Sequence, residues 1–160
     1  MLLSKITCKF VARACSLAVL VGVGGSPTFA VDTVVSKDAP DLTAVRAKIK
    51  AKDFAGALAD LTKINEAVQH ADVYNLIGFA SRKSGDYKTA ATFYAKALDF
   101  DANHKGALEY QGEMFLELGQ ADKAKANLAK LVALCPQGCE EREDLEKALA
   151  GAPATPAKSN

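Results

Sequence analysis

The sequence lacks a charge excess of either sign. Its 160 residues include 20 Lys or Arg and 19 Asp or Glu. All of the acids and 17 of the bases lie in residues 31–160. A near-neutral chain offers no electrostatic basis for binding DNA, RNA or anionic lipid. The overall composition, 49% hydrophobic and 24% charged, is typical of one soluble domain or a short repeat array.

The sequence also lacks the motifs of common enzymes. It contains no glycine-rich phosphate loop, no nucleophile elbow and no His-Glu helix motif. Its two histidines, His70 and His104, belong to equivalent turns one repeat apart, and no third ligand of the usual kind is near in sequence. No pair of carboxylates stands out as catalytic. We therefore predict a protein that is not an enzyme, with no cofactor and no metal site.

The uncharged apolar run at residues 15–24 is too short to cross a membrane as a helix. Its length is about half of the roughly 20 residues that a transmembrane helix needs. Three cations precede it, and small residues close the segment at Ala30. This order predicts a secretory signal peptide over residues 1–30, cleaved before Val31. We expect an exported protein, periplasmic or alternatively secreted, without stable membrane insertion after cleavage. An uncleaved N-terminal anchor is the other interpretation.

The rest of the sequence repeats with a period of 33 to 34 residues. Sliding the chain against itself aligns apolar and small residues in four columns, and the first column holds Phe54, Tyr87 and Ala121. Within each unit the columns follow the first by three, seven and ten positions, which is the one-face pattern of an amphipathic helix. A second apolar stripe lies upstream of it. Each unit is therefore predicted to contain two helices.

Two further columns of the repeat are glycine. Gly78 and Gly112 occupy one, where the missing side chain allows paired helices to approach closely. Gly85 and Gly119 occupy the other, at the predicted end of the first helix. A left-handed C-terminal cap favours glycine at that place.

This pattern resembles the tetratricopeptide repeat, whose period is 34 residues. The resemblance is strongest at residues 71–104. There the family's Trp, Gly, Ala, Phe and second Ala positions hold Tyr74, Gly78, Ala90, Tyr94 and Ala97. The resemblance implies an all-α fold, a right-handed α-solenoid of three helix-turn-helix units with a C-terminal capping helix. The implied layout is a linker at 31–37, repeats at 38–70, 71–104 and 105–138, the cap at 139–150 and a disordered tail at 151–160.

Arrays of this family curve, and the resemblance implies that the first helix of each pair lines the concave side. The side chains that this register places in the groove are Arg46, Lys50, Asn75, Phe79, Arg82, Lys83, Glu109, Tyr110, Glu113 and Glu117. The groove is expected to be basic at one end and acidic at the other. Phe79 and Tyr110 are candidate anchors for a ligand, although an aromatic residue at helical spacing also suits packing between helices.

The function implied is that of an adaptor that binds a protein or peptide partner without catalysis. Some family members grip a terminal carboxylate with lysine and asparagine, but Arg46 is the single cation at those positions here. That clamp is not expected. The protein is predicted to be a monomer or to self-associate weakly, and pairing of the first repeat with another subunit is an alternative.

Cys135 and Cys139 are the cysteines that follow the predicted signal peptide. Two cysteines in an exported chain predict one disulfide, and Pro136 and Gly138 bend the chain between them. Such a bond would join the cap to the last repeat. The alternative function is redox or metal handling by this pair, because a helix N-terminus at Cys139 would lower its thiol pKa. Free thiols are the third possibility.

Overall fold

The structure is a computed structural model, and it describes residues 34–35, by their backbone alone, and 38–152. The predicted signal peptide at 1–30 lies outside the described residues, as do most of the linker and the tail from residue 153 onward. The helices of the described part are α1 Thr43–Lys50, α2 Phe54–Ala67, α3 Ala71–Lys83, α4 Tyr87–Phe100, α5 Lys105–Glu117, α6 Ala121–Leu134 and α7 Glu140–Gly151. Two short strands accompany them, β1 Val34–Val35 and β2 Val68–Gln69.

The helices pack as three consecutive pairs followed by a single helix. α1 packs on α2, α3 on α4 and α5 on α6, while α7 packs on both α5 and α6. This arrangement confirms the predicted all-α array of helix-turn-helix units with a C-terminal capping helix. The cap α7 continues to Gly151, one residue into the segment predicted as tail.

The described part of the linker is paired with the body of the protein. β1 runs parallel to β2, with Val34 opposite Val68 and Val35 opposite Gln69. β2 joins α2 to α3. The segment predicted as a plain linker therefore contributes a two-residue ladder to the first repeat.

Each second helix of the first two pairs begins with the same aspartate cap. Asp53 accepts a hydrogen bond from the backbone N–H of Gly56 (2.9 Å), and Asp86 accepts one from Thr89 (3.0 Å). The hydrogen bond lowers the pKa of the Asp86 carboxyl. An N-cap aspartate satisfies one of the orphan N–H groups of the first turn, so these residues fix where α2 and α4 start.

The glycine columns have the roles that the repeat pattern predicts, with one difference. Gly85 and Gly119 have φ values of +84° and +70° just after α3 and α5, which confirms the left-handed caps. A Cβ on Gly78 would lie 2.7 Å from the Tyr94 ring of α4. A Cβ on Gly112 would instead lie 2.7 Å from Leu145 of α7. The close approach at Gly112 thus seats the cap.

The core runs through the array because each cluster joins neighbouring repeats. Val45 of α1 and Leu61 of α2 share a cluster with residues of α3. Leu108, Leu131 and Leu145 bring together α5, α6 and α7. Repeats of this kind bury their apolar faces by stacking. Among residues 38–152, no helix has the length and apolar content needed to cross a bilayer.

Candidate binding groove

One face of the array contains two adjoining cavities, which together we call the binding groove. Their lining residues belong to α1, α3, α5 and α7, to the N-cap of α5 and, through the shared wall, to both cavities at once. Arg46 and Tyr110 line both. The cap α7 therefore extends the row of first helices as a fourth member.

The first cavity, the apolar shelf, has a volume of about 180 Å³. Its lining residues are Arg46, Ile49, Lys50, Leu76, Phe79 and Tyr110. Arg46 and Lys50 are exposed at its edge. Aliphatic and aromatic side chains beside two cations provide a surface for an apolar group next to an acidic one.

The half-buried Phe79 combines the two roles considered for it. Its ring centroid lies 4.8 Å from that of Tyr110 and 6.4 Å from that of Phe54, so the ring packs between α2 and α5. The same ring also forms part of the cavity wall. Burial and repulsion from Glu109 and Glu113 raise the pKa of Tyr110, which keeps its hydroxyl protonated at neutral pH.

Arg82 is not the groove cation that the helical register predicts. It is 3% exposed, and its guanidinium donates to Glu117 (2.9 Å) and to Glu113. A planar fork that holds two carboxylates ties α3 to α5. The pairing was readable in principle, because both acids lie about one repeat period after Arg82 in the sequence. Glu113 and Glu117 are correspondingly partners of Arg82, while Lys83 lies 5.4 Å from the Phe79 ring centroid.

The second cavity, the acidic pocket, has a volume of about 250 Å³ and lies between α3, α5 and α7. Besides Arg46 and Tyr110 it is lined by Asp72, Asn75, His104, Gly106, Glu109, Glu140, Glu141 and Asp144. The sequence analysis placed Asn75 and Glu109 in the groove but missed the three acids of α7. Those acids resemble the solvated first turn of any helix, and only the docking of α7 brings them to the groove.

Glu109 is the most deeply placed acid of the acidic pocket, at 7% exposure. Burial raises the pKa of its carboxyl to about 8, and repulsion from Glu113, Asp144, Glu141 and Glu140 adds to the effect. The ionisable groups that line the pocket with it are Arg46 on α1, Asp72 on α3, His104 and Tyr110 at α5, and Glu140, Glu141 and Asp144 on α7. Burial of a carboxylate disfavours its charged form.

Asn75 is buried in the wall of the same pocket. It is 6% exposed, and its Oδ1 atom has no hydrogen-bond partner among the described residues. Buried polar atoms in proteins are nearly always hydrogen-bonded. The Asn75 carbonyl therefore offers an unused acceptor next to Glu109.

The two histidines act as helix caps. His70 Nδ1 accepts a hydrogen bond from the N–H of Asp72 (3.1 Å), and His104 Nδ1 accepts one from Ala107 (3.0 Å). Asp72 also joins them, because its carboxylate lies 3.0 Å from His104 Nε2 and 3.5 Å from His70 Nδ1. Among the described residues, no cluster of three His, Cys, Asp or Glu side chains is arranged to hold a metal ion.

Cys135 and Cys139 form a disulfide in the structure, with their Cα atoms 6.0 Å apart. This separation is within the usual range for disulfides. The bond spans the turn between α6 and α7, and Arg142 of α7 donates to the backbone carbonyl of Cys135 (3.3 Å). Both contacts hold the start of the cap against the last repeat.

The comparisons with known proteins agree with this architecture. A family model described as tetratricopeptide repeat matches residues 71–104, the segment with the strongest sequence pattern. No curated protein sequence matches the chain significantly. The matched segment coincides with the α3–α4 helix pair, and similar pairs stack on either side of it. The chain therefore belongs to the tetratricopeptide repeat family.

Proposed function

We propose that this protein is an adaptor that binds an extended segment of a partner protein in the binding groove. The family implies a protein partner in general. The observation that supports the specific site is the junction of the apolar shelf and the acidic pocket at Arg46 and Tyr110. Two joined cavities of different chemistry suit a chain with successive side chains of different kinds.

The apolar shelf supplies the anchor for such a segment. Half-buried aromatic residues at the centre of an interface commonly carry most of its binding free energy. Phe79 and Tyr110 form that centre here, since their rings are in contact and both line the shelf. An apolar side chain of the partner would pack on them. Arg46 and Lys50, at the edge, would favour an acidic neighbour.

A peptide-display experiment tests this function. Peptides selected by the purified protein from a random dodecapeptide library are expected to bind Phe79→Ala at least tenfold more weakly, because the shelf loses its central ring. Lys50→Glu provides a second test, because Lys50 is exposed at the shelf edge and its substitution leaves the core unchanged. It should weaken the binding of peptides with an acid next to the anchor.

The matched control is Val132→Ala. Val132 is also apolar, is 39% exposed and lies on α6, which contributes no lining residue to either cavity. Its substitution should leave the peptide affinities unchanged. If Phe79→Ala and Val132→Ala bind every selected peptide as well as the parent does, the groove is not the binding site. Circular dichroism of each variant checks that the helices are intact.

We further propose that the adaptor works outside the cytoplasm. The layout of residues 1–30 supports this location, and the bond between Cys135 and Cys139 is of a kind that persists in oxidising compartments. Mass spectrometry of the protein from the extracytoplasmic fraction should find Val31 as its first residue. Full-length protein in the cytoplasmic fraction would contradict the export of the chain.

A further inference from the structure

We propose that the acidic pocket binds a basic side chain, a lysine ammonium or an arginine guanidinium, of the segment held in the groove. This inference rests on the proposed function and names the chemistry of its partner. Three observations carry it: a buried acid without a partner, a buried amide oxygen without a partner, and the position of the pocket beside the apolar shelf.

The buried acid is Glu109. Among the described residues its carboxylate forms no hydrogen bond and no ion pair, although the residue is 7% exposed. Burying an unpaired carboxylate is costly unless a cation accompanies it. The fold gives Arg82 to Glu113 and Glu117, so that cation does not serve Glu109. The missing partner of Glu109 is therefore sought in a ligand.

The neighbouring acids differ from Glu109 because they have cations of their own. The pairs are Asp72 with His104 (3.0 Å), Glu141 with Lys105 (3.7 Å) and Asp144 with Lys147 (3.0 Å). Arg46 lines the pocket but forms no ion pair with an acid of the described part. The arrangement leaves the deepest carboxylate uncompensated and keeps the partners of the others at the rim.

The unused amide oxygen is Oδ1 of Asn75, which is buried in the same pocket. An ammonium carries three donors and a guanidinium five, and neither carries an acceptor. Such a group satisfies the carboxylate of Glu109 and the carbonyl of Asn75 together. Tyr110 also lines the pocket, and aromatic faces attract cations. A metal ion fits less well, because the described residues offer no three-ligand cluster.

The pocket adjoins the apolar shelf through Arg46 and Tyr110. A segment whose apolar side chain contacts Phe79 therefore passes the acidic pocket next. We infer that the recognised sequence combines an apolar residue with a nearby lysine or arginine on the side of α7.

The direct test uses n-butylammonium chloride, a mimic of the lysine side chain, as the probe. The Glu109 carboxyl carbon is titrated by NMR with and without the probe, and sodium chloride at equal ionic strength is the control. A bound cation favours the ionised acid, so the pKa of Glu109 should fall by at least one unit, a tenfold change in its ionisation. Equal titration curves in the two salts would overturn the inference.

Two variants make this test specific. Glu109→Gln removes the charge but keeps the shape, and it should abolish the shift that the probe causes in the Asn75 side-chain amide. Asp122→Asn is the matched control, because Asp122 is an exposed acid of α6 away from the pocket. It should leave that shift unchanged. An unchanged shift in Glu109→Gln would also overturn the inference.

Peptides then identify the source of the cation. In groove-selected peptides with acetylated N-termini, lysine or arginine should be enriched near the apolar anchor. Replacing that residue by norleucine should weaken binding to the parent at least tenfold and to Glu109→Gln much less. Enrichment only of free N-termini would assign the pocket to an α-amino group and overturn the side-chain proposal.

The outcomes separate this inference from the proposed function. Peptides that depend on Phe79 but not on a basic residue would refute the cation site and leave the adaptor function standing. A probe-dependent fall of the Glu109 pKa without any Phe79-dependent peptide would support the cation site and refute the peptide groove.

Discussion

Glu109 occupies a position where folding and ionisation oppose each other. Its pKa is raised to about 8 by burial and by the surrounding acids, whereas an ordinary glutamate ionises near 4.5. The folded protein thus binds a proton there more tightly than the unfolded chain does. Linkage requires that stability falls as pH rises between these two values and levels off above about 8.

Replacing Glu109 by Gln should remove this pH dependence. At pH 5 the variant and the parent are expected to have similar stability, because the parent carboxyl is mostly protonated when folded. Above pH 8 the variant should be more stable by roughly 1 to 3 kcal/mol, a value reduced from the full shift because the pocket admits solvent. Urea denaturation at both pH values measures the difference. A variant that is less stable than the parent at pH 9 would contradict this account of the pocket.

Gly78 is a residue whose side chain must be absent. A Cβ there would lie 2.7 Å from the ring of Tyr94, which is fully buried. Gly78→Ala should lower the free energy of unfolding by about 1 to 3 kcal/mol through overpacking, offset in part by up to about 1 kcal/mol of helix propensity.

Gly151→Ala is the control for this substitution. A Cβ on Gly151 meets no atom within 4 Å, so its replacement should leave stability unchanged or slightly raised. Thermal unfolding followed by circular dichroism compares the two variants. Equal melting temperatures for the two would show that α3 and α4 are not in close contact at Gly78.

Between helices, the buried guanidinium of Arg82 is the polar link from α3 to α5. Arg82→Met should cost about 2 to 4 kcal/mol, somewhat below the usual range for a broken buried pair, because Glu113 and Glu117 retain access to water. Arg82→Lys should fall in between, since an ammonium cannot reproduce the planar fork. Urea denaturation provides the values.

The matched control is Lys125→Met. Lys125 pairs with Asp122 on the surface of α6, where both side chains are mostly exposed. Surface pairs of this kind contribute little, so no resolvable change is expected. A loss at Lys125 equal to that at Arg82 would mean that the α3–α5 link is no stronger than a surface pair.

The cap α7 is held by both packing and a covalent bond. Leu145 is fully buried against α5 and α6, so α7 should stay docked when the disulfide between Cys135 and Cys139 is reduced. The closed loop is short, and the entropic contribution of such a bond is about 2 kcal/mol. Hydrogen exchange should therefore accelerate in α7 and at the end of α6 but not in α1 to α4. Uniform acceleration through all helices would contradict a local role.

The same experiment addresses the alternative redox function of this cysteine pair. The Cys135→Ser, Cys139→Ser double variant is expected to bind groove-selected peptides with near-parental affinity, because neither sulfur lines a cavity of the groove. Loss of the physiological function with retained peptide binding would instead favour the redox hypothesis.

For the molecule as a whole, the helical array was predictable from the sequence because its determinants are local. A period of 33 to 34 residues, apolar residues at helical spacing and glycines such as Gly85 act within one repeat. The groove was only partly predictable. Arg82 has the spacing of a groove residue, yet its carboxylate partners come from the next repeat and bury it. The acids of α7 reach the pocket through the docking of Leu145 near Gly112, a contact distant in sequence.

The central claim is that α1, α3, α5 and α7 together form the surface that binds a partner segment. The most direct measurement is backbone amide chemical-shift mapping of the isotope-labelled protein during titration with a groove-selected peptide. The account predicts that the large shifts lie on these four helices, with the strongest around Phe79, Glu109 and Tyr110. Large shifts confined to α2, α4 and α6 would contradict it.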